Sequence, residues 1–138
     1  MRALVAAILV CTSAPVALAQ SYSANGQVGY LGEWEMKASL NKTVGGSAQD
    51  FEGPVTLRHV GLCSVNGVEE KSGTMRLEVS RGNVEGTLEM ADDSCSIKAA
   101  GSPPHTGLMS CRNGEGIPIR FSIDQSDTTD RTAPAAGK

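Results

Sequence analysis

Apolar and polar side chains alternate residue by residue over most of this chain, and this period of two is the feature that most constrains its fold. In the segment EWEMKASL (33–40), every second residue from Trp34 onward is apolar and the others are charged or serine. The same alternation recurs in four further segments: 54–60, 74–80, 84–90 and 117–124. Successive side chains of a β-strand point to opposite faces, so this pattern predicts strands with one buried and one solvated face.

Short turn sequences separate the alternating segments. Asn66-Gly67 and Asn113-Gly114 suit two-residue hairpin turns, and Arg81-Gly82-Asn83 suits a three-residue hairpin loop. We therefore predict an all-β fold, either a small antiparallel β-barrel or a closed sandwich of seven or eight strands. The predicted core consists of Trp34, Met36, Leu40, Val55, Leu57, Met75, Leu77, Val79, Leu88, Ile97, Ile117, Ile119, Phe121 and Ile123.

The first nineteen residues have the pattern of a cleavable secretory signal peptide. Arg2 precedes an apolar run, and Ala17 and Ala19 form an A-x-A cleavage site before Gln20. The apolar run is shorter than the roughly 20 residues that a membrane-spanning helix needs. We expect no membrane span, and we expect a periplasmic or secreted mature protein in an oxidising compartment.

Composition divides the rest of the chain into three parts. Residues 20–28 are small and polar and predict a flexible lead-in, and residues 29–124 predict a single β domain. Residues 125–138 lack large apolar side chains and predict a disordered tail.

The charge balance argues against nucleic acid as a partner. The chain has 12 basic and 15 acidic residues, and loss of Arg2 with the signal peptide leaves 11 basic ones. The mature chain is thus mildly acidic, with its charges dispersed, whereas binding of nucleic acid or anionic lipid requires clustered positive charge.

The segment CSIKAAGSPPHTGLMSC (95–111) predicts a disulfide-linked hairpin. With a loop centred on Pro103, antiparallel pairing places Cys95 opposite Cys111, and such cross-strand partners lie within disulfide range. Pairing of Cys63 with Cys95 or with Cys111 remains open, as does the absence of any disulfide. If Cys95 and Cys111 pair, Cys63 is the odd cysteine, either a buried free thiol in a monomer, a reactive thiol, or the link in a disulfide-linked dimer.

The same hairpin contains potential soft metal ligands, but their order argues against a metal site. His105, Met109 and Cys111 are ligand types that copper sites use. Blue-copper loops order these ligands as Cys, His, Met, which is the reverse, and a disulfide would consume Cys111. We expect no metal and no other cofactor.

Catalytic motifs are missing from the sequence. The chain has no Gly-x-Ser-x-Gly, no His-Glu-x-x-His, no phosphate loop and no dinucleotide fingerprint. We expect His59 at the edge of the core and His105 solvated in a proline-rich loop, so neither has an evident nucleophile to activate. We expect a protein that is not an enzyme.

The motif Gly32-x-Trp34, in GYLGEWEM (29–36), resembles the Gly-x-Trp signature of lipocalin- and avidin-type barrels. It is also similar to the opening of small periplasmic barrels that inhibit secreted metalloproteases. The resemblance implies that the glycine permits a tight bend and that the tryptophan plugs one barrel end, so Trp34 is interpreted as a structural core anchor. The Thr-Asp-Tyr segment of lipocalins and the Trp-Arg-Pro region of the inhibitors are both absent.

These observations favour an exported, non-catalytic binding module that contacts another, unknown protein, as an inhibitor or an envelope accessory. The alternative is a carrier of a small apolar ligand inside a calycin-like barrel. A binding module should have a filled barrel and an exposed patch on its loops, whereas a carrier should have a sizeable apolar cavity. An enzyme should bring His59 or His105 together with acidic residues in a cleft.

Overall fold

A computed structural model describes residues 20–43, 48–61 and 67–126 as a closed antiparallel barrel. Each strand pairs with its neighbours in the chain, and β1 pairs with β8 to close the barrel. This confirms the all-β prediction and selects the barrel over the sandwich. The strands are β1 (Ser21–Val28), β2 (Trp34–Thr43), β3 (Gln49–His59), β4 (Glu70–Ser80), β5 (Asn83–Met90), β6 (Ser94–Ala100), β7 (His105–Cys111) and β8 (Gly114–Gln125).

The first strand corrects the prediction of a flexible lead-in over residues 20–28. Residues Ser21–Val28 form β1, which pairs with β2 on one side and with β8 on the other. Its inward positions include Ala24 and Val28, both buried. A strand that is bonded on both sides needs little apolar bulk of its own, because barrel closure supplies its backbone partners.

The barrel interior is filled by large apolar side chains. The largest fully buried ones are Phe121, Met36, Leu40, Met75, Leu77, Leu88, Ile97 and Val84. Most of the predicted core is confirmed, but Trp34, Val79, Ile117 and Ile123 are half-buried and pack against the core from its margins. The buried set also includes residues that the predicted core omits: Ala24, Val28, Ala38, Phe51, Val84, Cys95, Ala99 and Met109.

The hairpin of β6 and β7 has the register that the sequence predicted. Ala99 pairs with Gly107, Ile97 with Met109, and Cys95 with Cys111. A disulfide joins Cys95 and Cys111, whose Cα atoms lie 4.0 Å apart. Cys63, the predicted odd cysteine, lies outside the described residues.

The antiparallel topology gives the barrel two ends with different loops. Of the described residues between strands, 29–33, 60–61, 67–69, 91–93 and 112–113 lie at the Trp34 end, while residues 48, 81–82 and 101–104 lie at the opposite end. The described chain starts and finishes at the opposite end, where the Ser126 N–H donates to the Ser21 carbonyl (2.9 Å).

The prediction of a disordered tail over residues 125–138 is wrong at its first residue, because Gln125 is the last residue of β8. Residues 127–138 of that tail, like the predicted signal peptide (1–19), lie outside the described residues. The described part of the chain contains no helix with the length and apolarity to span a membrane.

Candidate functional site at the Trp34 end

The loop between β1 and β2 is a tight turn that is held by hydrogen bonds within the turn and to β8. The Gly29 N–H donates to the Pro118 carbonyl (2.9 Å), and the Gly32 N–H donates to the Gly29 carbonyl (3.3 Å). The Glu33 carboxylate accepts the Leu31 N–H at 2.9 Å. Gly29 has a φ of 108°, which other residues rarely adopt, and a Cβ there would displace the Glu33 carboxylate that holds the turn.

This turn presents two large apolar side chains to solvent. Leu31 is 93% exposed and Tyr30 is 75% exposed. The Tyr30 hydroxyl donates to the Gly116 carbonyl at 3.2 Å, which ties the turn to β8. Leu31 therefore projects from a backbone that is already ordered, so that a partner would bind it with little further loss of conformational entropy.

The same hydrogen bonds set the electrostatics of the turn. Backbone N–H groups of Glu33 itself and of Leu31 donate to the Glu33 carboxylate and lower its pKa below the ordinary 4.5, and the nearby His59 adds to this lowering. Glu33 is therefore ionised at neutral pH, and its negative charge is the form that holds the turn.

A pocket of about 260 Å³ opens beside the turn, at the mouth of the barrel. Its apolar lining includes Trp34, Leu57, Met90, Met109 and Ile117. This is below the roughly 300–1,000 Å³ of typical small-molecule sites. The volume suits a single apolar side chain better than a whole ligand.

Trp34 forms one wall of this pocket and is packed from two sides. The His59 ring meets it edge-on with ring centroids 4.9 Å apart, and the Lys71 ammonium lies 5.5 Å from its ring centroid. The predicted anchor is therefore in place at the barrel end, but it is half-buried and faces a pocket instead of being sealed in the core.

Exposed apolar side chains concentrate at this end of the barrel. Among the described residues five large apolar side chains are exposed, and four of them belong to loops of the Trp34 end: Tyr30, Leu31, Val60 and Val68. The fifth, Leu108, is 54% exposed and lies in the middle of β7 on the outer wall. Exposed apolar side chains that gather at one end of a small protein, unlike single scattered ones, are typical of a contact site.

Asp93 and the disulfide brace the other side of the pocket. Asp93 Oδ1 accepts N–H groups from Ser94 (2.8 Å) and Arg112 (3.1 Å), which links the 91–93 and 112–113 loops. Asp93, Cys95 and Cys111 bring potential ligand atoms within 4.8 Å of one another. The two sulfurs are bonded to each other and the carboxylate already accepts two N–H groups, so the cluster is a structural brace.

A larger groove of about 600 Å³ runs along the outer wall, and most of the side chains that border it are charged or polar. It is bordered by charged side chains of β3 to β6, including the Arg76–Glu52 ion pair at 3.1 Å. Exposed cross-strand charges of this kind are the ordinary solvated face of a barrel. The Trp34 end is the stronger candidate, because apolar exposure and a pocket coincide there.

The two histidines lie at opposite barrel ends. The expectation of a solvated His105 is wrong, because its side chain is 6% exposed and its Nδ1 lies 2.9 Å from the Gly101 carbonyl oxygen. His59 packs on Trp34 near Glu33, whose lowered pKa leaves it a weak general base at neutral pH. Since Glu33 also holds the turn, this geometry can bind a partner more readily than it can transfer protons.

Sequence reasoning missed Leu31 and Tyr30 as candidate contact residues. The signal was present, because the GYLG stretch (29–32) puts two large apolar residues between two glycines, outside the alternating pattern. No known family model matches the chain, and no curated protein shows significant sequence similarity to it.

Proposed function

We propose that this protein is an exported, non-catalytic binding module that contacts another protein through its Trp34 end, as an inhibitor or envelope accessory. The observation that carries the proposal is Leu31, 93% exposed on a hydrogen-bonded turn beside an apolar pocket. The binding energy of protein interfaces is concentrated in a few anchors, most often Trp, Tyr or Arg, and Tyr30 and Trp34 lie at the same end as Leu31.

Export is supported by the disulfide and by the N-terminal sequence. Cleavage before Gln20 would leave the whole of β1 intact, since that strand begins at Ser21. A disulfide also persists best in an oxidising compartment. The expected location is the periplasm or the exterior, and N-terminal sequencing of the natural protein should find Gln20 first.

The carrier function is the weaker alternative, and the pocket is the observation in its favour. The barrel interior is filled by bulky side chains such as Phe121, Met36 and Met75. The apolar space therefore lies at the mouth, where about 260 Å³ is available. Native mass spectrometry of protein from its own compartment separates the two, because a carrier would show a bound small molecule.

The binding proposal is tested by quantitative capture from extracts of the natural compartment. Wild type, Leu31→Asp and Leu108→Asp are immobilised through their C-termini, which leaves the Trp34 end accessible. We expect a protein enriched on wild type and on Leu108→Asp but lost on Leu31→Asp, since both leucines are exposed and only one lies at the proposed surface. Equal capture by all three, or none, would contradict the proposal.

A further inference from the structure

The loops at the two barrel ends differ in charge. Among the described loop residues, the Trp34 end contains four acidic side chains, Glu33, Glu69, Asp92 and Asp93, and one basic one, Arg112. The described loop residues at the opposite end contain Arg81 and no acidic residue. These four acidic side chains, here called the acidic rim, share the barrel end with the apolar pocket and the exposed leucine, and Glu33 and Asp93 line the pocket itself.

Internal contacts leave much of this negative charge in place. The N–H groups that bind the carboxylates of Glu33 and Asp93 are neutral donors, so these hydrogen bonds do not cancel the charge of either carboxylate. The Lys71 ammonium lies 3.9 Å from the Glu69 carboxylate and offsets that one charge. Asp92 is exposed at the tip of the 91–93 loop.

We propose that the partner presents a cationic segment with a protruding apolar side chain, which enters the pocket beside Trp34 while basic side chains meet the acidic rim. This inference rests on the proposed binding function and specifies its partner's chemistry. Charge complementarity around an apolar anchor steers association and excludes partners of the wrong sign.

The chain's own C-terminal segment is a poor candidate for the occupant of the pocket. The C-terminal segment 127–138 starts at the opposite barrel end, since β8 finishes there. Its sequence contains no large apolar side chain to fill the pocket. The occupant is therefore expected to come from another protein.

The test uses three short blocked peptides and the natural mature protein. The first has one phenylalanine flanked by lysines, the second replaces the lysines with glutamates, and the third replaces the phenylalanine of the first with serine. The protein contains a single tryptophan, so the indole N–H resonance of Trp34 is an unambiguous NMR reporter of the pocket.

We expect the lysine–phenylalanine peptide to shift the Trp34 indole resonance. At low ionic strength it should bind about tenfold more tightly than the glutamate–phenylalanine peptide. The difference should shrink as salt is added, because these charges are exposed. The serine peptide should bind most weakly, because it has no side chain to enter the pocket.

Matched charge reversals test the acidic rim. Asp92→Lys should reduce the preference for the cationic peptide, whereas Asp124→Lys, the same change on an exposed residue at the opposite end, should not. The inference would be overturned if the two phenylalanine peptides bound with equal affinity, or if neither peptide shifted the Trp34 indole resonance. The capture experiment with Leu31→Asp does not depend on the partner's charge, so failure of this inference is distinguishable from failure of the binding function.

Discussion

At the scale of single residues, Glu33 fixes the shape of the exposed turn. Its carboxylate accepts the Leu31 N–H and thereby sets the direction in which Leu31 points. The pKa of Glu33 is lowered in the folded protein, so its stabilising contribution is fully present above the ordinary value of 4.5. That contribution is lost as the pH falls through the lower folded value.

Replacement of Glu33 should therefore change the acid dependence of stability. We expect Glu33→Gln to be less stable than wild type at neutral pH, with the difference shrinking once the pH drops well below 4.5. Urea unfolding of both proteins between neutral pH and a pH of about 3 measures this. A carboxyl NMR titration that placed the Glu33 pKa at or above 4.5 would contradict the account.

His105 and Leu31 are two residues whose environment sequence reasoning did not predict. His105 follows two prolines and was expected in solvent, but β7 begins at this residue and its ring packs 5.6 Å from that of Phe121. Leu31 was passed over because hydrophobic periodicity describes strands and says nothing of side chains on turns. Both outcomes depend on where a loop ends, which local sequence specifies weakly.

At the scale of elements, the β6–β7 hairpin was predictable because the alternation of apolar residues and the spacing of the two cysteines indicate the same register. Alternation fixed which residues face inward, and the cysteine pair then fixed the register. Strand β1 was not predictable in the same way, because its small and polar residues acquire partners only when β8 returns to close the barrel.

Removal of the disulfide should destabilise the protein through its unfolded state. The bond joins residues 16 positions apart, and the chain-entropy model assigns about 3 kcal/mol to a loop of this size. We expect the double variant Cys95→Ala/Cys111→Ala to lose about that much free energy of unfolding.

Ser96 and Ser110 form the adjacent outward-facing pair and supply the control. Their double replacement by alanine should change stability by less than about 0.5 kcal/mol, as is usual on an exposed surface. Thiol titration of the unfolded mature wild type should find one free thiol, at Cys63. Three free thiols, or disulfide mapping to Cys63, would contradict the assigned pairing.

A row of like charges crosses the outer wall of β3, β4 and β5. Asp50 pairs with Glu78, which in turn pairs with Glu85, so that three carboxylates lie side by side. Like charges directly opposite each other destabilise a sheet. Reversal of the middle charge, Glu78→Lys, should raise the free energy of unfolding by about 1 kcal/mol.

The control for this reversal lies on the same strand. Glu70 pairs with Arg58, so Glu70→Lys creates repulsion and should destabilise the protein. Both effects, measured by urea unfolding, should shrink in about 1 M salt. A Glu78→Lys variant that is no more stable than wild type at low salt would contradict this account of the charge row.

At the scale of the whole molecule, the barrel separates the two ends of the described chain from the exposed turn. Both ends of the described chain lie at one end of the barrel, and the exposed turn with its acidic rim lies at the other. The closed all-β architecture could be predicted from alternation and turns alone. The difference in apolar exposure and charge between the two barrel ends could not be predicted in this way. It depends on which loops the strand directions bring together and on which of their side chains are exposed.

The central claim is that the Trp34 end contacts another protein in the natural compartment. The most direct measurement places a photo-crosslinking amino acid at position 31 or, as control, at position 108, in the full chain within its own cells. We predict a discrete crosslinked protein from position 31 and none from position 108, since both sites are exposed and only the first lies in the turn whose residues Tyr30 and Glu33 line the pocket. No crosslink from position 31, or the same products from both positions, would contradict the account.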